Sequence, residues 1–313
     1  MYLSRRKFLK TTGMSALAAP VLLNSLSSCS TGEKDTKPFG IQLWTVKEDM
    51  AKDPLAVLNL LSDYGYRQIE SFTGDKGPFW GMPAKEFQKV LGDLGMKMVS
   101  SHVDPRFTID PASEDDYKKL CDDCASIGVQ HLFNPYPGPQ GSSDDWKRLA
   151  EGLNRQGALS KAAGVKSGYH NHHQEFTVTP QGDLPYSILT GNTDPALVDF
   201  ELDLYWAVKA GQDPQKWFRE TSGRISFAHF KDLYPEEKVK ELDASDEPRT
   251  EEWPVGASTF LGNGRIDFAA ILKTGKEHGL QYCIVEQERF DGSTALDDSR
   301  KDAEYMKKLL AGS

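Results

Sequence analysis

Short runs of apolar, β-branched and aromatic residues alternate with longer amphipathic stretches along almost the whole chain after residue 38. The short runs read as buried strands, and the stretches in which Leu and Val recur at helical spacing read as helices with one packed face. Asp53-Pro54 places a capping carboxylate before a proline at the first helical position, Leu55 to Leu61 carries the apolar face, and Gly65 can stop the helix. The unit then repeats. Gly65 precedes the strand-like Tyr66–Glu70, Gly95 precedes Met96–His102, Gly128 precedes Val129–Asn134, and Gly164 precedes Val165 and the run into His170. Each unit spans roughly 30–36 residues, the length of a β/α repeat. With Phe39–Trp44 in front and Leu197–Asp203, Ile225–Phe230 and Tyr282–Glu286 behind, the pattern predicts eight strands. Eight is the number that closes a (β/α)₈ TIM barrel. A doubly wound open sheet fits less well, because no glycine-rich phosphate loop follows the first strand and nothing requires the strand order to reverse.

One interval breaks the period. Residues 233–259, rich in Glu, Lys, Asp and Pro, are too long for an ordinary connection. They follow a strand end, so they are expected over the barrel mouth as a lid or rim, the alternative being an inconsequential surface excursion. The segment closes with Phe260-Leu261-Gly262-Asn263-Gly264-Arg265-Ile266-Asp267-Phe268, where two glycines turn the chain and Asp267 is placed to cap the last barrel helix.

The N-terminus carries a different signal. Ser4-Arg5-Arg6-Lys7-Phe8-Leu9-Lys10 resembles a twin-arginine export signal, and a weakly apolar stretch without acidic residues runs from Thr11 to Leu26. Leu26-Ser27-Ser28-Cys29 resembles a lipobox. The expected organisation is therefore a signal peptide over residues 1–28, a lipidated Cys29 opening a polar tether over 29–38, and one barrel domain over 39–313. This predicts an exported periplasmic or cell-envelope lipoprotein held to the membrane by its lipid alone. Loss of residues 1–28 removes four basic side chains and leaves 33 basic against 46 acidic residues, a net charge of −13. Such a surface is a poor partner for nucleic acid. Cys121 and Cys124 stand i,i+3 on an expected helix and Cys283 in a buried-type strand, so all three read as small core residues or free thiols.

Candidate chemistry gathers where the strands end. Gly168-Tyr169-His170-Asn171-His172-His173 closes strand five, and Asp203, His229 and Glu286 close strands six, seven and eight. Catalytic groups of such barrels sit at the C-terminal ends of the strands, and mixed imidazole and carboxylate donors suit Mn²⁺, Mg²⁺ or Zn²⁺. Alternation turns His170 and His172 to the same side. The deeper His170 is thus the expected fourth metal ligand, and His172 the group that moves a proton. Glu175, just beyond, is a further carboxylate for catalysis, substrate contact or competing ligation, and Glu286 can act as base as well as ligand. Glu70 and His102 at the ends of strands two and three, with Trp44, Tyr205, Trp206 and Lys231, are the candidate substrate contacts. Phe133 and Tyr136 are further aromatics expected near the mouth, where rings stack on sugars.

These segments resemble the xylose-isomerase-like sugar isomerase/epimerase barrels, in particular a branch whose fifth strand reads Tyr-His-Asn-His followed by Glu-Phe. The matching stretches are Gly40–Thr45, Gly65–Glu70, Tyr169–Phe176, Asp203–Trp206, Ala228–Asp232, Gly262–Asp267 and Val285-Glu286. In the family's ketose epimerases a Glu, an Asp, a His and a second Glu hold the metal, and the two glutamates shuttle the proton. Asp203, His229 and Glu286 match three of these, whereas His170 stands in for the first glutamate and removes one of two symmetric bases. The resemblance implies a metal-dependent isomerase or epimerase acting on an unphosphorylated sugar or keto sugar by proton abstraction α to a carbonyl. A lyase or hydratase on 3-keto-glycosides is the alternative within the family, and a non-catalytic glycan-binding lipoprotein the alternative outside it. A small sugar or glycoside is the expected ligand, and oligomerisation is compatible with all three.

Overall fold

The computed structural model describes residues 37–243 and 256–313. The export signal, the lipobox at Cys29 and part of the 233–259 insertion lie outside the described residues. Eight parallel strands close into one barrel: β1 Gly40–Gln42, β2 Gln68–Phe72, β3 Lys97–His102, β4 His131–Asn134, β5 Lys166–His170, β6 Val198–Asp203, β7 Ile225–Phe230 and β8 Tyr282–Val285. Each pairs with its neighbour in sequence, and β8 returns to β1 through the registers Gly40↔Ile284 and Ile41↔Val285. Helices cover the outside.

The expected cap at Asp53 is present: its carboxylate accepts from the Ala56 N–H at 3.0 Å, with Pro54 opening the helix Pro54–Tyr64. Gly65 ends that helix at φ 106°, a left-handed conformation that glycine adopts without strain. Asp267 caps Phe268–Glu277, which precedes β8. A further helix, Ala295–Ala311, follows that strand, so Asp267 caps the penultimate helix rather than the last. Cys121, Cys124 and Cys283 are buried free thiols, and burial pushes Cys121 and Cys283 up to about 12, too high to form thiolates at neutral pH. Among the described residues no helix is long and apolar enough to cross a membrane.

Barrel interiors fill in layers. At the lower end Asp199 accepts from Lys166 at 2.7 Å, from the Ser226 hydroxyl at 2.7 Å and pairs with His131 at 3.1 Å. Val99, Phe133, Phe227 and Ile284 form an apolar cluster inside the barrel. Phe133 is therefore interior packing and not a mouth aromatic. At the two ends of the insertion, Asp232-Leu233 and Ser258-Thr259 pair as two short antiparallel strands, and within it Glu236–Asp243 is helical.

Candidate metal centre

The mouth layer is polar because the strands end in side chains that cannot be left without partners once water is excluded. Donor atoms of His170, Asp203, His229 and Glu286 all lie within 4.8 Å of one another, and those of His102, His170, Glu201 and His229 do likewise. Asp203 ends β6 and caps the helix Leu204–Lys209, its Oδ1 accepting from the Trp206 N–H at 2.9 Å. Its Oδ2 is buried with no hydrogen-bond partner. His229 Nδ1 is 3.2 Å from Glu286 Oε2 and 4.0 Å from Asp203 Oδ2, whereas Nε2 is 2.6 Å from Glu70 Oε1. His170 Nδ1 is engaged by Glu201 at 3.1 Å. An orphaned carboxylate oxygen, two imidazoles and a second carboxylate within one ligand sphere fit a divalent ion of the Zn²⁺, Mn²⁺ or Mg²⁺ class.

Charges follow the geometry. Burial works against the imidazolium of His229, but the carboxylates of Glu201 and Glu286 hold its pKa well above the usual histidine range. Burial and then the charged His229 and His102 push His170 well below that range. Burial and Lys231 lower His172 to about 3, leaving it neutral near pH 7. Burial raises Asp203 to about 7, against the pull of Lys231 and His229. Glu286 is also buried, yet Lys231 and His229 keep it below the ordinary carboxylate range.

A cavity of about 380 Å³ opens over this layer, with Trp44, His102, Tyr136, His170, His172 and Glu286 in its wall. β5 ends at His170, so His172 belongs to the following loop, yet both imidazoles reach the cavity with ring centroids 5.0 Å apart. Asn171 and His173 turn elsewhere: Asn171 Oδ1 accepts from the Asp203 N–H at 3.1 Å, and His173 packs on Trp206. Trp44 sits on the 3₁₀ turn Leu43–Val46, partly exposed, with Lys47 Nζ 3.4 Å over its ring.

Five expected site residues lie outside the wall of this cavity. Glu175 is buried behind the strand, where its carboxylate takes the Tyr169 hydroxyl and the His172 N–H (2.8 Å); it fixes the loop and reaches neither cavity nor cluster. Glu70 is fully buried, bonded to Gln42 at 2.9 Å, Ser100 at 2.6 Å and His229, so it supports a histidine and does not line the cavity. Tyr205 is buried too, its hydroxyl accepting from the Ala257 N–H at 2.7 Å and tying down the return of the insertion. Lys231 is almost wholly buried, paired with Glu288 and with Glu286 at 3.4 Å, against the rings of Tyr205 and Trp206. It sets charge from beneath the wall. Trp206 is nearly buried, its ring 5.7 Å from that of His172, and it borders a neighbouring cavity instead. His102 does line the main cavity, while bonding Glu201 at 2.8 Å. Glu201 was missed from the sequence, although Asp199, Glu201 and Asp203 recur every second residue on one inward face.

Inosose dehydratase of Clostridium perfringens is 31% identical over 169 residues, 53% of this chain and 56% of that protein, so the chain spans about half the length of the curated relatives it matches. A sugar phosphate isomerase/epimerase from Parabacteroides distasonis superposes with a TM-score of 0.72 at 26% identity, over 88% of this chain and 95% of that one. A TIM barrel protein from Mycobacterium smegmatis in complex with magnesium shares the fold alone, at 15% identity and a TM-score of 0.63 over 88% of this chain and 97% of that one. The model of the xylose isomerase-like TIM barrel family matches residues 58–309. With the closed eight-strand barrel and the polar layer at its mouth, that match makes the chain a member of the xylose isomerase-like TIM barrel family.

Proposed function

We propose that the protein is a divalent-metal-dependent carbon–oxygen lyase that removes a proton α to the carbonyl of an unphosphorylated keto sugar or keto-glycoside and expels the β-oxygen. The observation that carries this reading is the convergence of His170, Asp203, His229 and Glu286, of which His170 and Glu286 reach a cavity whose wall also includes His172. A bound ion supplies Lewis acidity to a carbonyl and its enolate. The remaining steps belong to the chain. His172, on the cavity wall, accepts the α-proton from the face it lines, and the same imidazole returns it to the departing oxygen. Glu175 and Trp206 hold that loop in place, the first through the His172 N–H and the second through its ring. Trp44 and Tyr136 offer apolar faces for a sugar ring.

Two observations favour elimination over epimerisation. A single base on one face suffices for elimination, whereas epimerisation needs proton donors on both faces, and β5 offers His170 where the family's ketose epimerases carry a glutamate. The dehydratase relatives point the same way. The structural neighbour named isomerase/epimerase supports the second reading, in which the enolate is reprotonated rather than broken down. The acidic wall residues Asp104, Glu286 and Glu288 disfavour a phosphate, and Lys231 is already paired. Export through residues 1–28 and lipidation of Cys29 belong to the same proposal, since unphosphorylated sugars are what an envelope enzyme would meet.

The test is proton NMR in deuterated water with the metal-loaded protein and a panel of free sugars, keto sugars and keto-glycosides. The proposal expects an enone product and release of the β-substituent. Deuterium in a recovered sugar without elimination would replace it with the isomerase/epimerase reading. Binding without either change would leave a glycan-binding protein.

A further inference from the structure

A second cavity, of about 480 Å³, adjoins the one that His170, His172 and Glu286 line, and Trp44 and Glu288 stand in the walls of both. Both boundary side chains are held in place. Glu288 Oε2 accepts from the buried Lys231 ammonium, and Trp44 packs edge-on against Phe72 at 5.1 Å with Lys47 Nζ over its ring. Trp206 ties the second cavity to the reacting groups: it lines that cavity, and its ring lies 5.7 Å from that of His172 in the wall of the first. A ligand longer than one ring would thus pass from one cavity to the other at Trp44 and Glu288.

The lining of the second cavity states what it would take. Trp44, Trp206 and Phe290 offer apolar faces, while Lys47, Gln287 and Glu288 add donors and acceptors. Among the described residues, Trp206 Nε1 and Gln287 Oε1 have no hydrogen-bond partner, although both side chains are more than nine-tenths buried. The Gln287 amide nitrogen already donates to the Arg289 carbonyl and to Asp298, at 2.5 and 2.8 Å, so its oxygen is the end left to accept. Buried polar atoms are normally partnered, and the wall of this cavity leaves one donor and one acceptor open. A sugar hydroxyl serves either role, and the C–H faces of the same ring stack on aromatic side chains. A flat apolar group would leave both atoms unpaired.

We propose that the second cavity is a leaving-group subsite and that the group it receives is itself a sugar, so that the substrate is a keto-disaccharide with its oxidised ring over the metal centre. This rests on the lyase reading and names its substrate class. The bond to be broken then lies at the boundary, beside His172. His172 takes the proton from the α-carbon, the electron pair left behind forms the C=C bond, the bond to the β-oxygen breaks, and His172 returns the proton to that oxygen. The second sugar departs with a free hydroxyl.

The test compares a keto-disaccharide with the methyl and aryl glycosides of the same oxidised ring, using the metal-loaded full chain. Two variants accompany the wild type: Ala295→Trp, which fills the second cavity, and Phe290→Ala, which removes an aromatic wall; neither residue lines the first cavity. The wild type should show a kcat/KM about tenfold or more higher for the disaccharide than for the methyl glycoside, because binding energy from the remote ring is available to the reacting one. Both variants should lose that advantage and keep turnover of the methyl glycoside within about twofold. Equal use of the two by the wild type, or an advantage that Ala295→Trp retains, overturns the subsite and leaves the lyase reading standing. Preference for the aryl glycoside over the disaccharide overturns a sugar as the occupant. Turnover of none of the three removes the lyase reading, and calorimetry with the same disaccharide then decides the subsite. Binding that Ala295→Trp abolishes upholds it, and no binding, or equal binding, overturns it. Circular dichroism verifies folding of the variants, and the wild-type ratio decides even if neither folds.

Discussion

At the residue scale, the roles of His170 and His172 separate by what each one touches. His170 Nδ1 is held by Glu201 inside the barrel, and His172 stands on the cavity wall. His170→Ala should therefore lose metal and turnover together. His172→Ala should keep its metal and lose turnover by roughly 10²–10⁴-fold, as for a removed general base. Metal content and rate measured on both variants check the assignment, and metal loss in His172→Ala alone would reverse it. Alternation along strand five made the pair legible in the sequence, even though His172 lies beyond the strand end. Glu175 shows where that reasoning stops. Its place just past the histidines suggested chemistry, but whether a loop carboxylate faces the cavity or Tyr169 is decided by tertiary packing. Glu201 is the converse: its period-two spacing with Asp203 is visible in the sequence, but it lies two residues inside the strand and not at the end, where catalytic groups are expected.

At the scale of elements, the glycine-bracketed segment Gly262–Asp267 is a cradle for Asp232, which belongs to the short strand after β7. Asp232 Oδ2 accepts from the N–H groups of Gly262 and Gly264, each at 3.0 Å, and Oδ1 from Ile266 at 3.2 Å and Leu233 at 2.8 Å. A Cβ added at Gly264 would overlap that carboxylate. Gly264→Ala should thus cost about 2–4 kcal/mol, and Asp232→Ala about 3 kcal/mol through amides left without an acceptor, both measurable as a lower Tm. An unchanged Tm in both would show that the cradle contributes nothing. The glycines announced a turn in the sequence, but their partner lies some thirty residues upstream and only the closed barrel joins them. Strand positions, by contrast, were legible to within a few residues, because helix-stopping glycines and apolar runs are local signals. Helical turns at Leu43–Val46 and Arg106–Ile109 were not, since neither has a periodic apolar face of its own.

At the scale of the whole molecule, the lower end of the barrel carries stability rather than chemistry. Asp199 is buried, which alone would raise its pKa, but hydrogen bonds from His131, Lys166 and Ser226 outweigh burial and lower it. A folded pKa below the unfolded value of about 3.9 means that this contribution is present above pH 4 and fades as pH falls through the folded pKa. Asp199→Asn should lower stability near pH 7 by about 3 kcal/mol and reduce the loss on acidification. Denaturant titrations at pH 7 and pH 3 read both effects, and equal destabilisation at the two values would contradict the account. Outside the described residues, Cys29→Ala in the intact precursor should release the protein from the membrane fraction or stall its processing. Unchanged membrane association would place the anchor in the apolar stretch before it.

The central claim, metal-assisted proton abstraction at the barrel mouth, meets its most direct test in solvent deuterium. A keto-glycoside or keto sugar that the protein turns over is incubated in deuterated water with the metal-loaded enzyme, with enzyme stripped by chelator, and with stripped enzyme after a divalent ion is restored. The account predicts loss of the α C–H signal with loaded enzyme, no loss with stripped enzyme, and recovery with the ion. C–H cleavage at the same rate in stripped and loaded enzyme would contradict it.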